Sequence, residues 1–238
     1  MPHHPPPAPL IVTRTGLAHG VRLSLPFVPG FLVFGAAVGT SAGQKGFSLL
    51  ETMLMNGLVY AGASQLMALQ LWTDHWTLTA LLAVAGVVAA VNLRFVLMGA
   101  SLQPLIGKAP KRIVYPSLFA MADANWILAL RYHTEGGRDL GVLVGCSVFL
   151  WCLWVLAAIP GYLAGAFIDA KTWGLDFAML LTFTSMTVPV VRRARKLAPF
   201  AIAAGVALLA SWLVPGYWFI IMGAAAGAGY AAIFGGDS

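Results

Sequence analysis

The sequence predicts an all-α polytopic integral membrane protein with about seven transmembrane helices. Three observations carry that reading. Of 238 residues, 60% are hydrophobic and only 9% are charged, whereas soluble domains average about 25% charged residues. Apolar runs reach the roughly 20 residues that a spanning helix needs. The 26 glycines and 14 prolines suit membrane helices, which carry both residues more often than soluble ones do.

The segments follow in order. MPHHPPPAPL holds five prolines and has no apolar core after a basic start, so it is not a signal peptide. Residues 1–15 are expected to be a disordered cytoplasmic tail, and 16–236 a single transmembrane domain. Leu23–Gln44 is charge-free but interrupted by Pro26, Pro29 and several glycines, which predicts a kinked or broken span. Thr52–Thr73 and Thr77–Gly99 read as ordinary spans. A basic loop with Lys108, Lys111 and Arg112 follows, then a shorter span, Ile113–Leu130. Leu140–Ile168 is long enough to cross with tilt, with Pro160 and Gly161 marking its end or a kink. Phe177–Val191 is short and precedes the basic cluster Arg192–Lys196. Leu197–Gly236 divides into two spans at Pro215-Gly216.

Counting crossings exposes a conflict. Positive charge collects on the cytoplasmic side. A cytoplasmic N-terminus and a cytoplasmic 108–112 loop need two crossings between them, yet 23–44, 52–73 and 77–99 make three. The loops at 108–112 and 192–196 are likewise separated by three. Re-entrant or broken segments at 23–44 and 177–191 would settle both counts, and a pair of interrupted segments is the pattern of a transporter built from repeats.

Polar side chains inside apolar runs are costly and by default mark a pathway, a substrate contact or an interhelical clamp. The 52–73 segment carries Asn56, Tyr60 and Ser64 at i, i+4, i+8, one face of a helix, with Gln65 beside it. They are either a substrate-facing stripe or interhelical hydrogen-bonding groups. Asn92 and Arg94 lie two residues apart in 77–99 and point to different faces. Arg94 offers a planar fork for a carboxylate or snorkels to the headgroups from near the end of its span. Asp123, midway along 113–130, would ion-pair with Arg94, accept a substrate ammonium or carry a proton.

No catalytic residue, cofactor or metal site is expected. No histidine lies inside a span beside a serine, no Lys-Ser/Thr follows a glycine run, and His3, His4, His19, His75 and His133 form no ligand pair. Cys146 and Cys152, six apart on one helix, read as small apolar residues. The net charge of +6 belongs to membrane orientation rather than nucleic acid, since no basic stretch is interleaved with aromatics.

Phe31–Gly43, Tyr60-Ala-Gly-Ala-Ser-Gln65, Val91-Asn-Leu-Arg94 and Ser101-Leu-Gln-Pro104 together resemble the AzlC family, the large subunits of branched-chain amino acid exporters. The chain departs from the family pattern at Phe95, where histidine is common, and at Ala122-Asp123-Ala124, where only the aspartate is kept. The resemblance implies a multi-pass protein of the bacterial inner (plasma) membrane. It also implies secondary export of valine- or leucine-like amino acids and a small AzlD-type partner subunit. In that setting Asn56, Tyr60, Ser64, Gln65, Asn92, Arg94 and Asp123 would line the substrate pathway. A non-transporting scaffold subunit and a small-solute channel are the alternative readings.

Overall fold

A computed structural model describes residues 11–73, 75–165, 197–213 and 218–234. The helices are α1 (Arg14–Ser24), α2 (Val28–Gln44), α3 (Leu49–Val59), α4 (Gly62–Gln70), α5 (Leu78–Ile106), α6 (Lys111–Phe119), α7 (Asp123–Thr134), α8 (Gly141–Gly165), α9 (Ala198–Leu213) and α10 (Trp218–Phe234). No strand occurs among the described residues. The expected segment 177–191, the Arg192–Lys196 cluster and the Pro215-Gly216 turn lie outside them.

Among the described residues three helices are long and apolar enough to cross a membrane: Arg14–Gln44, Leu78–Ile106 and Gly141–Gly165. The first is α1 and α2 joined by one 3-10 turn, Leu25–Phe27. Pro26 and Pro29 lack the N–H groups an α-helical ladder would use there, and the tighter turn absorbs them without a chain break. The break expected in 23–44 is therefore not found. Residues 11–15, assigned from sequence to the tail, belong to the fold. Leu140 N–H donates to Ile11 O at 2.8 Å, and Thr13 caps α1 by accepting from Gly16 N–H at 2.9 Å.

The α1–α2 helix lies parallel to α8, with contacts rising together along both. Gly145 meets Leu17, Gly20 meets Val142 and Cys146, Gly35 meets Ala157, and Gly39 meets Ala158. Small residues bring the two backbones together. A Cβ on Gly161 would fall onto the Ala36 carbonyl oxygen, and one on Gly39 onto the Ala158 carbonyl. Thr40 Oγ1 donates to Gly161 O at 2.8 Å, and Cys146 Sγ to Gly20 O at 3.2 Å. Asp139 locks the near end. It accepts from the Thr13 hydroxyl, from Thr13 N–H at 3.2 Å and from Gly141 N–H at 2.7 Å. Burial works against its charge, but these donors and nearby His133 hold its carboxyl below the usual range. Helices α9 and α10 pack antiparallel, with Gly223 against Ala207 and Gly227 against Ala203. Outward leucines such as Leu81 and Leu82 on α5 and Leu209 on α9 are exposed, as a lipid-facing surface requires.

The 52–73 and 113–130 segments are not single spans. Each is a hairpin of two short helices. The rings of Phe47 and Trp72 meet tilted, with centroids 4.7 Å apart, and Lys45 Nζ donates to Trp72 O at 3.4 Å, so α3 and α4 start and finish side by side. With 11 and 9 residues, these helices extend about 16 and 14 Å, half of a hydrocarbon core of roughly 30 Å. The α6–α7 hairpin opens at the other end of the molecule. Arg112 and Val12 line one pocket there, and Tyr132 faces His19 at 5.9 Å. Among the described residues that end carries Arg14, Lys108, Lys111, Arg112, Arg131 and Arg138, against Lys45 at the other, the distribution that the positive-inside rule associates with a cytoplasmic face. The surplus crossing before residue 108 is thus removed by α3–α4, which turns back at mid-depth.

Close packing at Gly161 gives a clean test. Alanine favours helix over glycine by about 1 kcal/mol, so Gly86→Ala, in open space on α5, is expected to leave the melting temperature in detergent unchanged or raised. Gly161→Ala is expected to lower it, by an overpacking cost of about 1–3 kcal/mol. Equal behaviour of the two would contradict the α2–α8 contact.

Candidate functional site

The two hairpin tips meet near the middle of the molecule. α3 starts with a reciprocal cap, Glu51 N–H to Ser48 Oγ at 3.2 Å and Ser48 N–H to Glu51 Oε2 at 2.7 Å. It ends at Tyr60, whose backbone is left-handed at φ 41 and ψ 45. A non-glycine residue there costs of the order of 1–2 kcal/mol, and burial of the ring against Trp154 (centroids 6.4 Å apart) holds it. Ala61 follows at φ −141 and ψ 76, and α4 begins at Gly62, where a side chain would strike Trp154 and Phe34.

Breaking a helix in an apolar medium strands backbone groups. Gln65, on α4, repairs part of the first break. Its Nε2 donates to Met55 O at 3.0 Å and to Asn56 Oδ1 at 3.3 Å, while Asn56 Nδ2 donates to Thr52 O at 2.9 Å. Trp151 Nε1 donates to Gly57 O at 2.9 Å. The second break, Ala120–Ala122, is closed by Asn125. Its Oδ1 accepts from Ala122 N–H at 2.6 Å, and its Nδ2 donates to Ala120 O at 2.6 Å and Ser147 Oγ at 2.8 Å.

Helix α5 ties the two tips together. Asn92 is the central residue of this 29-residue helix. Its Oδ1 accepts from Ser64 Oγ, in the first turn of α4, at 2.5 Å. Arg94, two residues on, pairs with Asp123, the first residue of α7, at 3.1 Å. Two residues of helix are about 3 Å of rise, so both half-helices begin at one level. Ala122 packs against the cluster formed by Val38, Tyr60, Leu66 and Trp154, which brings the second tip against the first.

The residues singled out from sequence are accordingly gathered, though not as expected. Asn56, Tyr60, Ser64 and Gln65 are all buried, but they do not form one helical stripe, because the chain reverses at Tyr60. Asn92 and Arg94 have separate partners. Arg94 is not near the end of its span, since α5 continues to Ile106, and its guanidinium meets Asp123 instead of reaching for headgroups. Sequence reasoning passed over Trp154, for which it offers no signal, and left Asn125 and Ser147 without roles. A polar amide in an apolar run was the available clue to Asn125. Among the described residues five buried polar atoms have no partner: Tyr60 hydroxyl, Gln65 Oε1, Trp154 Nε1 and Arg94 Nε, with His133 Nε2 apart from them near the end of α7. Among the described residues no His/Cys/Asp/Glu group could hold a metal, and both cysteines are free.

Spanning helices around two opposed half-depth hairpins with polar tips define an integral membrane protein of the discontinuous-helix kind. The AzlC protein family matches residues 26–168, more than half of the chain, and the chain belongs to that family of membrane transport proteins. It is 26% identical over 215 residues to the inner membrane protein YgaZ of Escherichia coli, covering 84% of this chain and 82% of that one. It is 24% identical over 200 residues to the branched-chain amino acid transport protein AzlC of Bacillus subtilis, with 83% and 77% covered. An uncharacterized membrane protein of Helicobacter pylori is 25% identical over 165 residues, with 69% and 71% covered. No solved structure matches the chain.

The Arg94–Asp123 pair is about one-third exposed on each side, so its worth falls between the ~1 kcal/mol of a surface pair and the ~3–5 kcal/mol lost when a buried pair is broken. Asp123→Ala is expected to lower folded yield and melting temperature. The exchange Arg94→Asp with Asp123→Arg is expected to recover part of both, and an exchange no better than the single variant would contradict a pairwise role.

Proposed function

We propose that this chain is the large subunit of an exporter for valine- and leucine-like amino acids, acting by secondary transport in the inner membrane, with a small membrane subunit as partner and no enzymatic step of its own. The observation that carries the reading is the meeting of two half-depth hairpins around buried polar groups without partners. A permeating polar solute needs such groups at mid-depth, where water is scarce. The name of the Bacillus subtilis relative supplies the solute class, and the family resemblance supplies direction and partner. The Arg94–Asp123 pair supports a covering subunit. It lies at mid-height among exposed Leu93, Val96 and Leu97, and a charge pair exposed by a third is poorly placed against lipid.

Efflux from cells preloaded with valine or leucine tests this. Export is expected to need both this chain and its partner. The Ser64→Ala, Gln65→Ala variant is expected to slow it about tenfold or more, since each lost buried hydrogen bond costs ~1–3 kcal/mol, while the complex still assembles. Loss of assembly instead would favour the scaffold reading. Absence of efflux with both chains present would contradict the proposal.

A further inference from the structure

The unpartnered atoms at the first hairpin tip have a definite chemistry. Helix α4 starts at Gly62 with no side-chain cap, so the N–H groups of its first turn are available, and the positive end of its dipole faces the tip. Two further donors are buried beside it, on rings that pack against each other at 6.4 Å. Tyr60, 5% exposed, directly precedes this turn, and its hydroxyl has no partner. Trp154, 4% exposed, presses its ring edge on Gly62. Atoms Cη2 and Cζ2 would lie 2.5 and 2.8 Å from a Cβ at that position. The indole Nε1, two bonds from Cζ2, is also without a partner.

One acceptor faces the same break. The Nε2 of Gln65 is fixed by its bonds to Met55 O and Asn56 Oδ1; a flipped amide would set oxygen against oxygen. That leaves Oε1 buried and unpaired. The formal charges nearby, Arg94 and Asp123, are committed to each other.

We infer that the Tyr60–Gly62 break is a carboxylate site, in which the first-turn N–H groups of α4, the Tyr60 hydroxyl and the Trp154 indole N–H hold the α-carboxylate of a zwitterion whose ammonium faces Gln65 Oε1. This rests on the transport reading above and deepens it. Recognition is by neutral dipoles and not by a fixed counter-charge, so the site discriminates through the carboxylate. Phe34 and Phe31, which pack on Trp154 at centroid distances of 5.3 and 5.9 Å, provide apolar wall beside it.

The test uses the full chain with its partner in detergent or proteoliposomes. Three probes share one branched side chain: L-leucine, 4-methylpentanoate (carboxylate without ammonium) and L-leucinol (ammonium without carboxylate). Thermal stabilisation and competition against labelled leucine are read for the native chain and for Tyr60→Phe, which keeps the ring and its packing. Leucine and 4-methylpentanoate are expected to bind and leucinol to bind at least tenfold more weakly. Tyr60→Phe is expected to weaken both carboxylates about tenfold, the loss of one hydrogen bond to a charged group, and to leave leucinol unchanged. Leucinol binding as well as leucine, or a Tyr60→Phe effect equal on all three, would overturn the inference. Leucine efflux in cells without carboxylate-dependent binding would also overturn it and leave the transport reading standing. Tyr60-dependent carboxylate binding without efflux would sustain the site and remove the transport reading.

Discussion

A helix that ends in the middle of a bilayer must find partners for its last carbonyls and first N–H groups, because the lipid offers none. This constraint organises the molecule. At the α6–α7 tip a single amide, Asn125, serves both broken ends and is itself held by Ser147 on α8. At the α3–α4 tip the repair is partial. Gln65 and Trp151 donate to the carbonyls of Met55 and Gly57 toward the end of α3, while the start of α4 has no cap. One tip is closed by the protein and the other keeps donors in hand, an asymmetry that matches a scaffold element and a binding element.

The surrounding helices exist in the form they do to hold these tips. The parallel contact of α1–α2 with α8 is glycine-lined because two backbones must touch there, and that contact fixes Trp154 against Gly62. Helix α5 contributes Asn92 and Arg94 to different half-helices at one level, so any tilt of α5 moves the starts of α4 and α7 together. A strut shared by two half-helices ties their positions together, and among the described residues the Ser64–Asn92 and Arg94–Asp123 links provide it.

Much of this was legible in the sequence, for definite reasons. Composition and run length gave the fold class, since only apolar helices satisfy their own backbone in lipid. The polar residues within those runs, Asn56, Tyr60, Ser64, Gln65, Asn92, Arg94 and Asp123, were conspicuous because each is costly there, and they do converge. The conflict in counting basic loops pointed to a segment that fails to cross. Its location was misread because prolines attract attention. Pro26 and Pro29 sit where a 3-10 turn tolerates them, whereas the real reversal falls at Tyr60-Ala61, a pair with no breaker signature. A tyrosine in the left-handed region is a tertiary outcome, imposed by the packing of Trp154 and by Gln65 reaching across the break, and no local pattern encodes it. Trp154 lies over 90 residues downstream and is indistinguishable in sequence from a lipid-facing tryptophan.

The most direct measurement is the reactivity of a single cysteine at the first tip. In a chain carrying Cys146→Ser and Cys152→Ala, Ala61→Cys is exposed to a small hydrophilic thiol reagent in membranes, with and without L-leucine, beside Leu209→Cys on the lipid-facing surface. A pathway through the opposed tips predicts that Ala61→Cys reacts and that leucine slows it several-fold, while Leu209→Cys is indifferent to leucine. An Ala61→Cys that leucine does not protect, in a complex shown to export leucine, would place the pathway elsewhere.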